Sequence, residues 1–196
     1  MSVHRFFFGG GVDLEGLSTY LDRLENHVRI SEVQSFTARE QARLFDLAKH
    51  FRPLTLEHFV HETASPLHQI IHYGKNSLPV FNVFEKRFCR PDRRTSAGEL
   101  WGYNEQPLKW LTGPGYFVAR ETGDGQVVID YGGVPPGKPS AWPAILPNSA
   151  GLGRFVFHQT RDYVRGISRY VSVGRATRRG KAMNNWFVLC RGETGG

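Results

Sequence analysis

The sequence predicts an α+β fold, in which a mainly antiparallel, curved sheet packs against N-terminal helices and one amphipathic helix near the C-terminus. Three observations predict this fold. Apolar residues in the first third recur at helical spacing, residues from position 69 onward are rich in aromatic and β-branched types punctuated by glycine and proline, and arginines recur at helical spacing between positions 154 and 169. We expect a single domain over 1–196, helical over 1–63 and sheet-rich over 67–196.

Helix-start signals place the N-terminal helices. Asp13 is a good N-cap for a helix with leucines at helical spacing, and residues 37–40 form a capping box that opens a second helix, ended by Pro53. A third, short helix is expected from Thr55. The glycines at 9–11 precede the first helix but match no nucleotide-binding motif, so we interpret them as a turn rather than a phosphate loop.

Strand signals dominate the rest of the chain. The expected strands are 67–73, 80–89, 100–103, the hairpin 116–121 with 126–131, and the closing pair 170–177 with 184–190. Residues 132–151 hold five of the eleven prolines together with Trp142, which predicts ordered packing for this segment. Two interpretations of it stay open, a lid over a pocket or a cover for a sheet edge.

Composition narrows the class of protein. Of the 196 residues, 40% are hydrophobic and 13% are aromatic, which is far from the profile of a disordered chain. Two cysteines are too few for a disulfide framework or a multi-cysteine zinc module. Glycines and acidic residues interrupt the apolar opening before it reaches the length of a signal peptide or a membrane span. We therefore expect a cytoplasmic protein with no membrane span.

The region 155–170 is predicted to be an amphipathic helix with a basic face. The net charge of +7 arises in the last quarter of the chain, because residues 1–150 carry 16 Lys and Arg against 16 Asp and Glu, whereas residues 151–196 carry nine against two. The planar arginine fork matches carboxylate and phosphate groups, so we predict anion binding by this face and by a basic turn near position 180. The predicted residues are Arg154, His158, Arg161, Arg165, Arg169, Arg178, Arg179 and Lys181.

A second cluster combines aromatic and polar side chains. Such side chains line ligand pockets, and they also line ordinary interfaces. The residues predicted to line a pocket are His72, Tyr73, Lys75, Asn76, Trp101, Tyr103, Glu105 and Tyr116.

We interpret the histidines and cysteines of this sequence as structural residues rather than as metal ligands or nucleophiles. Imidazole and carboxylate together bind zinc or iron, but the histidine-rich segment contains neither HExxH nor a tightly spaced facial triad. We expect hydrogen-bonded or solvated histidines and no metal site. The residues concerned are His58, His61, Glu62, His68 and His72. Cys89 and Cys190 each end an apolar strand, and we expect both to be buried and unreactive.

These observations favour a protein that binds a small anionic or amphipathic molecule in a pocket between sheet and helices. No motif defines catalytic residues, a reaction or a cofactor, so an enzymatic role stays open. The competing hypothesis is a nucleic-acid-binding module that uses the basic helix and turn, and a third is a protein-interaction subunit without chemistry. A pocket requires the arginines to converge in a concavity, whereas nucleic acid requires them spread along a surface.

Overall fold

In the residues that the structure describes, the chain forms a closed barrel of eight antiparallel strands with helices on its outer face. The structure is a computed structural model that describes residues 2–9, 11–79, 82–92, 98–106, 112–149 and 153–193. The helices are α1 (Leu14–Arg23), α2 (Asn26–Ser35), α3 (Ala38–Leu47) and α4 (Gly153–Val156), with 3-10 turns at Val3–Phe6, Ala48–His50 and Leu56–His58. The strands are β1 (Phe7–Phe8), β2 (Gly11–Val12), β3 (Ile70–Asn76), β4 (Val83–Cys89), β5 (Leu100–Glu105), β6 (Phe117–Glu121), β7 (Val127–Asp130), β8 (Thr160–Gly166), β9 (Val171–Arg178) and β10 (Lys181–Arg191).

The N-terminal helices begin where the sequence predicts. The Asp13 side chain accepts a hydrogen bond from the Gly16 backbone N–H at 2.8 Å, which caps α1, and Thr37 and Glu40 complete the capping box of α3. The buried faces of these helices pack on the outer surface of the barrel. The residues at this contact include Leu17, Leu21, Val33, Phe36 and Leu44 from the helical region and Val171, Val173, Val188 and Cys190 from strands β9 and β10.

Each barrel strand pairs with the next one along the chain, from β3 to β10. The barrel closes because β10 also pairs with β3, with Cys190 opposite Tyr73 and Phe187 opposite Asn76. The predicted α+β class and antiparallel, curved sheet are therefore confirmed, and the sheet closes on itself. None of the helices in the described ranges combines the length and apolarity that crossing a bilayer requires.

The predicted helix over 155–170 is wrong. Helix α4 ends at Val156, and residues 160–166 form strand β8 between β7 and β9. Along β8 the buried side chains alternate with more exposed ones, so that Asp162 and Val164 point into the barrel and Arg161 and Arg165 point out. Pairing with both neighbouring strands outweighs the helical spacing of the arginines, because strand β8 completes the barrel between β7 and β9 and buries one face of the strand in its interior.

Three inward-facing glycines are each covered by a phenylalanine ring from the directly opposite position of a neighbouring strand. A Cβ at Gly74 would lie 2.6 Å from the ring of Phe84, so the ring occupies the space that a side chain would fill. The rings therefore lie flat along the barrel wall. The three pairs are Gly74–Phe84, Gly102–Phe117 and Gly174–Phe187.

The proline-rich segment covers the outer face of strands β4 to β6. Trp142 is buried, its ring centroid lies 4.9 Å from that of Tyr103, and its indole N–H donates to the Gln69 side chain at 2.8 Å. Asn148 donates to the backbone carbonyls of Tyr116 and Tyr131. The predicted ordered packing through Trp142 is confirmed, and Trp142 lies against the outer face of the closed sheet rather than at a sheet edge.

Candidate functional site

The barrel interior is divided into a filled end and a hollow end. At the filled end, side chains such as Phe59, Phe88 and Leu100 belong to one buried apolar cluster. At the hollow end, where β4 and β8 begin and β3, β5 and β9 end, the described residues enclose a cavity of about 520 Å³. This volume lies within the range of pockets that hold small molecules. Its lining includes Phe84, Val156, Phe157, Ala176, Met183 and Phe187 as apolar groups and Asn76, Asn104, Thr160, Arg178 and Asn185 as polar ones.

Lys86 lies at the floor of this cavity in a buried polar network. Its Nζ donates to Asn104 Oδ1 at 2.9 Å, to Asp162 Oδ2 at 3.2 Å and to the Tyr131 hydroxyl through a short hydrogen bond. Asn104 Nδ2 donates to the backbone carbonyl of Gly115 at 3.1 Å and also contacts the Tyr131 hydroxyl. The side chains of Lys86 and Asp162 are only 3% and 8% exposed, so this ion pair is removed from water.

Four aromatic rings surround the Lys86 ammonium. Its Nζ lies between 5.1 and 5.5 Å from the ring centroids of Phe84, Phe117, Tyr131 and Phe187. A cation within about 6 Å of an aromatic face is attracted by the ring quadrupole. The floor of the cavity is therefore built around a positive charge, with one carboxylate and several rings as its counter-groups.

Burial changes the protonation behaviour of this network. It lowers the pKa of Lys86 below the usual value for lysine, and the opposing influence of Asp162 is smaller. Burial also raises the pKa of Tyr131 well above its usual value, and the nearby Asp162 carboxylate adds to this. At neutral pH the Tyr131 hydroxyl is consequently a proton donor, and Lys86 releases its proton more readily than a lysine in water.

Strand alternation places the two charged groups of the network. Phe84, Lys86 and Phe88 occupy alternate positions of β4, and their side chains share the inner face of the barrel. Asp162 takes the corresponding inward position between Thr160 and Val164 on β8. Sequence reasoning did not single out Lys86, Tyr131 or Asp162. The available signal was a lysine on the same face of a strand as two phenylalanines.

Most of the predicted anion-binding residues lie at the hollow end of the barrel. Arg178 lines the cavity, and its guanidinium donates to the Val156 carbonyl at 3.0 Å. The neighbouring Arg154, His158, Arg179 and Lys181 have exposed side chains at the same end, around the start of β8, the end of β9 and the start of β10. Arg161 is exposed and pairs with Asp130 at 2.9 Å. Their role in binding stays a prediction.

Arg165 and Arg169 lie towards the opposite end of the barrel. The Arg165 guanidinium donates to the Phe45 carbonyl at 2.6 Å and to the Gln126 side chain at 2.8 Å, and it stacks 3.9 Å from the centre of the Phe45 ring. Arg169 is exposed in the turn between β8 and β9, where its backbone N–H bonds to Asp22. The predicted basic residues therefore do not form one continuous stripe.

The residues predicted to line one pocket are distributed over three environments. Asn76 lines the barrel cavity, while Tyr73 and Glu105 line a smaller cavity of about 400 Å³ next to strand β4. Trp101, Tyr103 and Tyr116 pack with Trp142 beneath the proline-rich segment, and His72 is buried at the filled end. Lys75 is half-buried on β3. The structure does not bring these residues together as a single site.

His72 and His58 lie close together at the filled end, with ring centroids 6.2 Å apart. His72 Nε2 bonds to the Phe59 carbonyl at 3.0 Å, and burial lowers the pKa of His72 to about 3. His61, Glu62 and His68 are exposed. Across the described part of the chain, no group of three or more His, Cys, Asp and Glu side chains has the arrangement needed to hold a metal ion.

Both cysteines are buried, as predicted. Burial raises the pKa of Cys89 to about 12 and that of Cys190 to about 11, which disfavours the reactive thiolate. The chemically distinctive groups are therefore those of the barrel cavity.

No family model matches the chain, and neither does any curated protein or solved structure.

Proposed function

We propose that this protein binds a small amphipathic molecule inside the hollow end of its barrel. The observation that carries the proposal is the cavity of about 520 Å³, which combines aromatic and aliphatic walls with a polar floor at Lys86. Barrels of eight strands are just wide enough to be filled by side chains or to hold one small ligand. Burial of the ligand's apolar part against Phe84, Phe157 and Phe187 would supply the main driving force.

An anionic group on the ligand would face the rim of the cavity. Arg178 lines the cavity, and several exposed basic side chains surround it at the same end of the barrel. Such a field raises the local concentration of anions near the entrance. Arg178 lies at this rim, and its planar guanidinium matches the geometry of a carboxylate or sulfonate. The cytoplasmic location expected from the sequence is part of this proposal.

A fluorescence titration with 1-anilinonaphthalene-8-sulfonate, an apolar ring system with one anionic group, tests the proposal. We compare the wild-type protein with Ala176→Phe, which places a ring in the cavity, and with Thr177→Phe, which changes the next residue on the same strand. The wild type and Thr177→Phe should bind the probe with similar affinity. Ala176→Phe should bind at least about tenfold more weakly, a loss of about 1.4 kcal/mol. Near-equal affinity for all three folded proteins would contradict binding in the barrel.

The alternative functions give different results in the same experiment. A nucleic-acid-binding module should bind an oligonucleotide with affinity that falls steeply as salt increases, because each neutralised phosphate releases counterions. Ala176→Phe should leave that binding unchanged, since the exposed basic residues lie outside the cavity. An interaction subunit should bind neither probe.

A further inference from the structure

We propose that Lys86 forms an imine with an aldehyde or ketone that enters the barrel cavity. The inference rests on the proposed function, because the same cavity must admit the carbonyl compound, and it names the chemical class of the ligand. Among the described residues that line the cavity, Lys86 is the lysine. Its amine lies at the cavity floor, where an apolar ligand that fills the space between Phe84, Phe157 and Phe187 would present its inner end.

The network contains the groups that the reaction needs. Lys86 first passes a proton from its ammonium group to the Asp162 carboxylate. The neutral amine attacks the carbonyl carbon, a C–N bond forms, and the carbonyl π electrons move to oxygen, which takes a proton from the Tyr131 hydroxyl. The Tyr131 oxygen then takes a proton back from the nitrogen. The hydroxyl group leaves as water with the proton held by Asp162, and the nitrogen lone pair forms the C=N bond. Both side chains return to their starting protonation states. The overall change is ammonium plus carbonyl to protonated imine plus water, and it needs no oxidant or reductant.

The distances agree with these roles. Asp162 Oδ2 lies 3.2 Å from Lys86 Nζ, and the Tyr131 hydroxyl bonds to the same Nζ and lies 3.3 Å from Asp162 Oδ2. A general acid or base must be within hydrogen-bond reach of the proton that it transfers. Tyr131 and Asp162 therefore act on the same nitrogen without rearrangement of the barrel wall.

The environment of Nζ fits the product as well as the amine. A protonated imine keeps a positive charge on the same nitrogen, so the Asp162 carboxylate and the four surrounding rings remain its counter-groups. The lowered pKa of Lys86, caused by burial, also increases the share of nucleophilic amine near neutral pH.

Reductive trapping on the wild-type protein tests the proposal directly. The protein is incubated at pH 6 with 2-naphthaldehyde and cyanoborohydride, and the modified lysines are identified by peptide mass spectrometry. Lys49 and Lys181 are exposed and serve as internal controls. Lys86 should be labelled at least about tenfold faster than either, because the cavity holds the aldehyde next to its amine and raises the effective concentration of the carbonyl group there. Labelling of Lys86 no faster than of Lys49 and Lys181 would overturn the proposal.

Two controls separate this inference from the proposed function. An excess of 2-naphthalenemethanol, which has the same ring system without the carbonyl, should protect Lys86 and leave the labelling of Lys49 and Lys181 unchanged. The double variant Lys86→Met/Asp162→Leu removes both charges together, so that no unpaired charge is buried, and it should lose the cavity adduct. If the sulfonate binds but Lys86 is not trapped, the imine is excluded and binding in the barrel stands. If neither occurs, both proposals fail.

Discussion

Burial of His72 at the filled end of the barrel links its protonation to the stability of the fold. The folded protein favours the neutral imidazole, because water is excluded and the lowered pKa of His72 is about 3 compared with about 6.5 in an unfolded chain. The unfolded chain therefore binds more protons between these two values. The stabilisation that neutral His72 contributes is fully present above pH 6.5 and is lost as the pH falls.

The predicted contribution of His72 is a fall in the free energy of unfolding of about 2 kcal/mol between pH 6.5 and pH 5, from one proton taken up on unfolding. The neighbouring His58, whose pKa burial also lowers well below its usual value, adds to this fall. Urea denaturation across this range measures the slope. His72→Gln, which keeps a hydrogen-bond donor towards the Phe59 carbonyl, should flatten the slope by about one proton. The exposed His68→Gln serves as the control and should not change it. A slope that is unaffected by His72→Gln would contradict this account.

The pair of Lys86 and Asp162 makes a different residue-scale prediction. Lys86→Met leaves a buried carboxylate without its cation and should cost about 3–5 kcal/mol of unfolding free energy. The double variant Lys86→Met/Asp162→Leu should recover most of this loss, because apolar groups of similar size tolerate the same environment. Thermal or denaturant unfolding of the single and double variants completes the cycle. If the loss of unfolding free energy in the double variant equals the sum of the losses in Lys86→Met and Asp162→Leu, the two charges are not coupled.

At the scale of one element, strand β8 assigns different roles to two arginines that look equivalent in the sequence. Arg161→Gln removes an exposed ion pair with Asp130 and should change the unfolding free energy by less than about 0.5 kcal/mol. Arg165→Gln removes the charged hydrogen bond to the Phe45 carbonyl and the stacking on the Phe45 ring, and should cost about 1–2 kcal/mol. Equal effects of the two substitutions in denaturant unfolding would argue against this difference between the two sites.

The proline-rich segment is the second element with a testable contribution. Trp142→Ala removes a buried indole that packs on Tyr103 and Tyr116, and it should lower the unfolding free energy by about 3 kcal/mol or more. Leu146→Ala, at an exposed position of the same segment, is the control. An unchanged melting temperature for Trp142→Ala would show that the segment adds little to the packing of the barrel.

Most strands and the N-terminal helices could be predicted from the sequence because residues close together in the chain specify them. Asp13 and the capping box at Thr37 act within one helical turn, and the hairpin of β6 and β7 surrounds a glycine-containing loop. Strand β8 was predicted incorrectly because its arginines recur at a spacing that also fits a helix, and because the inward Asp162 hides the apolar alternation of a strand. The inward position of Asp162 depends on its ion pair with Lys86, which lies 76 positions away in the chain. Long-range pairing of this kind leaves no local pattern.

At the scale of the whole molecule, the helices pack over the place where the barrel closes. Leu44 and Val33 belong to the same buried cluster as Val173 and Val188, which lie on the outer face of β9 and β10. The N-terminal third of the chain therefore supports strands at the C-terminal end. Loss of a helical anchor should loosen this side of the barrel before it affects the far side.

Leu44→Ala tests this coupling. We expect a loss of about 2–5 kcal/mol, because a fully buried leucine is removed from the contact between α3 and the barrel. Native-state hydrogen exchange should show a larger loss of protection for the amides of β9 and β10 than for those of β6 and β7. Uniform loss of protection over all strands would mean that the barrel opens as one unit.

The pairing of β10 with β3 also has a consequence for the order in which the chain can fold. The bond between Ser77 and Trp186 joins residues 109 positions apart, and β10 is the last barrel strand to leave the ribosome. Until it emerges, β3 and β9 each present an unpaired edge, which is a template for association with other chains. The helices that pack on this part of the barrel are synthesised first, so their buried faces have no partner until β9 and β10 have been synthesised. Closure is consequently a late event. The yield of folded protein should therefore depend more on growth temperature and chaperone supply during synthesis than on the stability of the finished barrel.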